Sequence, residues 1–134
     1  MTYTAKAFVQ ALGNLTISGI TTAFDEPPRQ LNAVELPASF PRLPEADNTL
    51  AATFIPGIGL RQIVGELVVI FGPYVQGMQA ANFSSSLDIL DAIHAALTTS
   101  AASLGLDGWE MRGNAEQLGD TVYWVLVTRV TGSG

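Results

Sequence analysis

Apolar and polar positions along this chain change period in a definite order. From Leu60 to Phe71 (LRQIVGELVVIF) apolar residues first alternate with polar ones and then become continuous. Ile63, Leu67, Val69 and Phe71, with Gly65, share one parity; Gln62, Val64, Glu66, Val68 and Ile70 share the other. A period of two marks a strand, and the β-branched content favours a pleated surface. The run therefore predicts a central strand, covered on one face at its start and on both faces at its end. Thr121–Val130 (TVYWVLVTRV) predicts a second strong strand, with Val122, Trp124, Leu126 and Val130 on one face and Tyr123, Val125, Val127 and Arg129 on the other. Gly119-Asp120 suits a hairpin turn back to a strand that starts at Trp109–Arg112 and is interrupted at Gly113-Asn114. Thr16–Phe24 reads as a short strand broken by Gly19, and Leu50–Phe54 can pair with the strand that follows the Gly57-Ile58-Gly59 turn.

Two segments show a helical period instead. In Thr2–Leu15, Ala5, Phe8, Val9, Ala11, Leu12 and Leu15 fall on one face, with Thr2 or Thr4 placed to cap the start. In Asn82–Leu104, Phe83, Leu87, Leu90, Ile93, Leu97, Ala101 and Leu104 form a wide apolar face, and Ser84, Asp88, Asp91, Ala95 and Thr99 lie opposite. Asn82, or a serine of Ser84–Ser86, caps this helix, and Gly105 ends it.

Residues 27–56 break both patterns. Six of the seven prolines lie there, and LPASFPRLPEA spaces three of them with apolar residues. Residues before proline are pushed to extended geometry, so the segment reads as an extended arm. Its Leu36, Phe40, Leu43, Leu50, Phe54 and Ile55 need a surface to lie on, either their own domain or a neighbouring subunit. The economical architecture is a single α+β domain over residues 1–134: a mostly antiparallel sheet of about four strands, two helices packed on one face, and the extended Pro-rich arm 27–56.

Composition narrows the function classes. Of the 134 residues, 48% are hydrophobic and only 13% charged, so part of the surface is expected to be buried by assembly. The net charge of −6, from one Lys and five Arg against twelve acidic residues, argues against gripping nucleic-acid phosphates. Without cysteine there is neither a disulfide framework nor a thiolate metal site. No apolar run is long enough to span a membrane, and the start carries no signal-type pattern, so a cytosolic product is expected. Thr131-Gly132-Ser133-Gly134 reads as a short flexible tail.

The chemistry-bearing inventory is thin. His94 is the one histidine, and Asp91 lies one turn before it, a pair able to orient an imidazole for acid–base work. The competing reading is a partly buried helix residue that packs with its stem, and no nucleophile motif accompanies the pair. Asp88, Asp91 and His94 have ligand-type side chains, but one helix supplies too few of them for a metal, and a solvated acidic face fits better. Gly57-Ile58-Gly59 precedes a strand, whereas phosphate loops run from a strand into a helix. Trp109, Tyr123 and Trp124 sit in strand patterns without flanking bases, as sheet cover and not as a stacking platform. The residues thus point to no catalytic, cofactor or metal site. They point to self-association through strand edges and the arm.

In order and texture, most of the chain resembles the tail terminator and related tail-completion (minor tail) proteins of long-tailed bacteriophages. The resemblance lies in MTYTAKAFVQALGNL, ELPASFPRLPEA, RQIVGELVVIFGP, NFSSSLDILDAIHAAL and GDTVYWVLVTRVTG. It implies a virion structural protein without catalytic residues or cofactor, made in the host cytoplasm. Copies would form a ring, expected to be a hexamer, that caps the tail tube and meets the tail tube protein and a head-completion or neck protein. DNA would pass the acidic lumen without specific binding, and no membrane is involved. On that basis Phe40, Pro41, Arg42, Leu43 and Glu45 are expected at the subunit interface, with Arg42 and Glu45 as cross-subunit partners. Substituting Phe40 and Arg42 would then weaken assembly and leave the monomer folded. Other neck, tube or baseplate proteins, or a small α+β ligand-binding domain or enzyme using His94 and Asp91, are the alternatives.

Overall fold

The structure is a computed structural model that describes residues 4–29, 31–44, 50–73 and 83–133. Thr2 and Tyr3 of the first predicted helix, Glu45, the loop through Gly77 and the Asn82 cap lie outside the described residues. The chain is α+β, with two helices and a mostly antiparallel mixed sheet. Helix α1 spans Ala5–Gly13, and the Thr4 hydroxyl accepts from the Ala7 N–H at 3.1 Å as its N-cap. Strand β1 is only Thr22–Ala23, much less than the predicted Thr16–Phe24. A 3₁₀ turn at Ala33–Glu35 leads to β2 (Ala38–Arg42), β3 (Ala52–Ile55) and the long β4 (Gly59–Pro73). Helix α2 (Phe83–Leu104) then leads into β5 (Leu106–Leu118) and β6 (Thr121–Ser133).

Strand β4 is the axis of the sheet. Along one edge it pairs with β6, antiparallel, from Gln62 to Pro73. Along the other it pairs with two strands in succession: β3 against Gly59–Ile63 and β2 against Glu66–Ile70. Beyond β6 lies β5 and beyond β2 lies β1, the one parallel partner. The sheet has six strands where about four were expected.

The two parities of β4 serve two cores, as the alternation predicts. Ile63, Leu67, Val69 and Phe71, joined by Leu126 and Val130 of β6, pack under Phe8 and Leu12 of α1 and Ile89, Ile93 and Leu97 of α2, so both helices lie on one face. Val68 and Ile70, with Phe40, Tyr123, Val125 and Val127, form a second cluster on the opposite face, against which Phe24, Leu31 and Leu36 pack. Gly65 is where α1 comes closest: a Cβ there would stand 2.8 Å from Leu12 Cδ1 and 3.2 Å from Phe8 Cε1.

Four expectations are corrected. The Pro-rich stretch is not an arm over its whole length, because residues 38–42 form β2, buried throughout. Proline is tolerated there for a geometric reason. The Pro37 and Ser39 carbonyls accept from Thr21 and Phe24 on the β1 side, so the backbone of Pro41, of the same parity, also points that way and past the end of β1. Its missing N–H therefore costs no ladder bond to β4. Second, β5 runs without interruption through Gly113-Asn114, because the Trp124 ring lies over Gly113, where a Cβ would meet Cη2 at 2.8 Å. Third, Thr131–Ser133 belong to β6 and pair with Gln62–Val64, so they are not a loose tail. Fourth, the buried row of α2 is Ile89, Ile93, Leu97 and Leu104, whereas Phe83 and Leu87 precede the part of the helix that meets the core and are exposed.

The packing makes two expected outcomes. Phe40→Ala should lower the unfolding free energy by about 3–5 kcal/mol, the usual cost of emptying a core aromatic site. Gly65→Val should cost about 1–3 kcal/mol by pushing α1 off the sheet. Urea titrations followed by circular dichroism check both, and a Phe40→Ala midpoint equal to wild type would restore the arm reading.

Candidate functional site

The second face of the sheet carries an ionic row beside its apolar cluster. Strand register sets Arg42 of β2 against Glu66 of β4, Glu66 against Arg129 of β6, and Arg129 against Glu110 of β5. Charge thus alternates in sign across four strands, the favourable arrangement for directly opposed residues. Glu66 is fully buried. Its Oε1 accepts from Arg42 Nε at 2.9 Å, and its Oε2 accepts from Arg129 Nε at 3.2 Å and Nη2 at 3.1 Å. Arg112 Nη2 stands 3.7 Å from the same Oε2.

Arg42 also reaches across the face. Its Nη1 and Nη2 donate to the two Glu116 carboxylate oxygens, each at 2.8 Å, a two-point guanidinium–carboxylate contact. In sheet order β4 and β6 stand between β2 and β5, and Glu116 lies opposite Tyr123, well along β6 from Arg129. The contact spans the two intervening strands, as the coiling of a twisted sheet permits. Burial pulls the Arg42 pKa down, while hydrogen bonds to Glu116 and Glu66 pull it up and prevail, so it sits above its ordinary value.

This cluster ties β2, β4, β5 and β6 together. Arginine does not exchange protons near neutrality, and the Glu66 carboxylate has both oxygens engaged and no face open to solvent.

The residues expected at an interface are therefore placed differently. Phe40 and Pro41 are buried in the chain's own sheet, and Arg42 binds Glu66 and Glu116 of its own chain, so the stretch is spent internally. Leu43, just past β2, is about half exposed, and Glu45 lies outside the described residues. His94 is exposed, its ring 5.5 Å from that of Trp109 and tilted by 52°, so it rests on the indole instead of packing into the core. Trp109 lines a cavity with Gly108, Glu110, Arg129 and Thr131, which neither His94 nor Asp91 lines. Among the described residues no group of three or more His, Asp or Glu side chains converges as a metal site would require.

What stands free is the β3–β4 hairpin. The β6 partners of β4 begin at Gln62, so among the described residues the Phe54–Leu60 and Ile55–Gly59 pairs lie past the last β6 partner; Leu60 turns into the helix-side core, and residues 54–59 are exposed. Ile55-Pro56-Gly57-Ile58 makes the turn, closed by the Ile58 N–H on the Ile55 carbonyl at 3.0 Å. Proline at its first corner and Gly57, at φ 76°, at its second are the residues such a turn favours. The tip is apolar and wet: Phe54 is 63% and Ile58 80% exposed, with Ile55 beside them.

Comparison of the chain with family models and with curated proteins finds no match. Sequence reasoning missed the Glu66 cluster and the hairpin tip, although both left signals. Glu66 and Arg129 are opposite charges standing among apolar positions of the two strongest strands. The tip is a run of apolar residues around a Pro-Gly turn, where turns are usually polar.

Glu66→Ala should cost about 3–5 kcal/mol of folding free energy, because it leaves Arg42 and Arg129 without their shared carboxylate in a buried setting. Glu116→Gln should cost clearly less, since that carboxylate is partly open to water and Arg42 retains Glu66. Guanidinium titrations of the two variants against wild type check the order.

Proposed function

We propose that the chain is a structural subunit of a bacteriophage virion, of the tail terminator kind. Copies assemble head-to-tail into a ring, hexameric, at the end of the tail tube at the head–tail junction. There the ring stops tube growth and offers a surface to the head-completion protein. The observation that carries this reading is the projecting hairpin, whose apolar tip is exposed to water. Isolated exposed apolar residues are ordinary, but a paired two-stranded element with three of them at its end suits a docking element. The ionic cluster suits a structural role: Glu66, Arg42 and Arg129 are engaged with one another in holding the sheet. Low charge fraction and acidic balance suit a ring through which DNA passes without being held.

The test is direct. Tail tube protein polymerised in the presence of this chain should stop at defined lengths, and negative-stain images should show a ring of density at one tube end. Tubes of unrestricted length with bare ends, at every concentration of added protein, would refute the proposal.

A further inference from the structure

The hairpin needs a receptor, and the chain carries a surface of matching chemistry. On α2, Phe83 and Leu87 stand one helical turn apart and are 65% and 48% exposed. Asp91 continues their row and Asp88 flanks it; both are exposed. Across Phe83–Leu104 these two aspartates are the only charged side chains apart from His94 when protonated. Across residues 50–61 the only charged side chain is Arg61, exposed at the base of the hairpin, where a β-bulge interrupts the β3–β4 register. An apolar tip flanked by one cation thus answers an apolar helix stripe flanked by two anions.

The two surfaces cannot meet within one chain. Helix α2 ends at the base of the hairpin: the Gly105 carbonyl accepts from the Ser133 N–H at 2.9 Å, and Ser133 pairs with Gln62. The first turn of α2 lies a helix length from its end, about 33 Å at the α-helical rise. Hairpin tip and helix patch therefore face opposite ends of the molecule.

We propose that the hairpin of one copy docks on the N-terminal half of α2 of the next, Phe54 and Ile58 against Phe83 and Leu87, with Arg61 facing Asp88 and Asp91. The inference rests on the self-assembly reading for its occupant, a second copy of this chain, and adds which surfaces meet. The contact is heterologous: a dimer leaves one hairpin and one helix patch unoccupied, so association continues until the ring closes.

Complementing variants test it. Phe54→Ser/Ile58→Ser disables the hairpin, and Phe83→Ser/Leu87→Ser disables the helix patch; all four positions are exposed, and circular dichroism confirms that the variants fold. Light scattering should find wild type assembled at high concentration and each variant monomeric. An equimolar mixture should stop at a dimer of twice the 14.1 kDa chain, because only one productive contact exists. Arg61→Glu should weaken wild-type assembly about two- to fivefold at low salt and less at high salt, and Asp88→Arg/Asp91→Arg should restore it. If the double-serine variants assemble as wild type does, or their mixture stays monomeric, the hairpin–helix contact is wrong while self-assembly itself stands. If wild type stays monomeric at every concentration, with and without tail tubes, both the contact and the assembly reading fall.

Discussion

An ionised carboxylate is costly to bury unless cations or hydrogen-bond donors meet it, and Glu66 is buried completely. That constraint organises the second face of this protein. Glu66 lies on β4, and the side chains that satisfy it come from the strands on either side, Arg42 on β2 and Arg129 on β6. A slip of one residue in either pairing would turn an arginine to the other face and strand a charge among apolar side chains. The cluster thus specifies register where Val, Ile and Phe alone would tolerate several. The second hand of Arg42, on Glu116, ties the far edge of the sheet back over the same face.

This internal use of charge has a consequence at the surface. Three of the five arginines and two of the acidic residues are committed to the clamp, in a chain that has few charged residues at the outset. The exterior of the described residues carries small polar residues, scattered carboxylates and exposed apolar groups. These apolar groups are not spread evenly. Among the described residues, Phe54, Ile55 and Ile58 group at the hairpin and Phe83 and Leu87 on the first turns of α2, while Val34, Leu43, Leu50 and Val122 are exposed elsewhere. In the proposed reading, the same geometry that places them outside the fold makes them available to a second copy.

The proline-rich segment shows how the two levels divide. Its extended conformation was legible from the spacing of prolines, because a fixed φ and a restricted preceding residue leave little else. Its destination was not, since an extended strand with apolar side chains can lie on its own sheet or on another. The choice was made by Glu66 and Val68, which offer Arg42 and Phe40 an ion pair and a core site within the same chain.

Sequence alone determined the two helices to within a few residues, the two strong strands with their face assignments, the turn at Gly119-Asp120, and the α+β class. All of these follow from local period and local steric preference. Only the tertiary structure decided which strands are neighbours, that β4 serves two partners along one edge, which row of α2 is buried, and that Glu66, Arg42, Arg129 and Glu116 converge. Those facts depend on contacts between residues far apart in the chain. No local pattern encodes such contacts, because the free energy that selects them exists only once the strands are side by side.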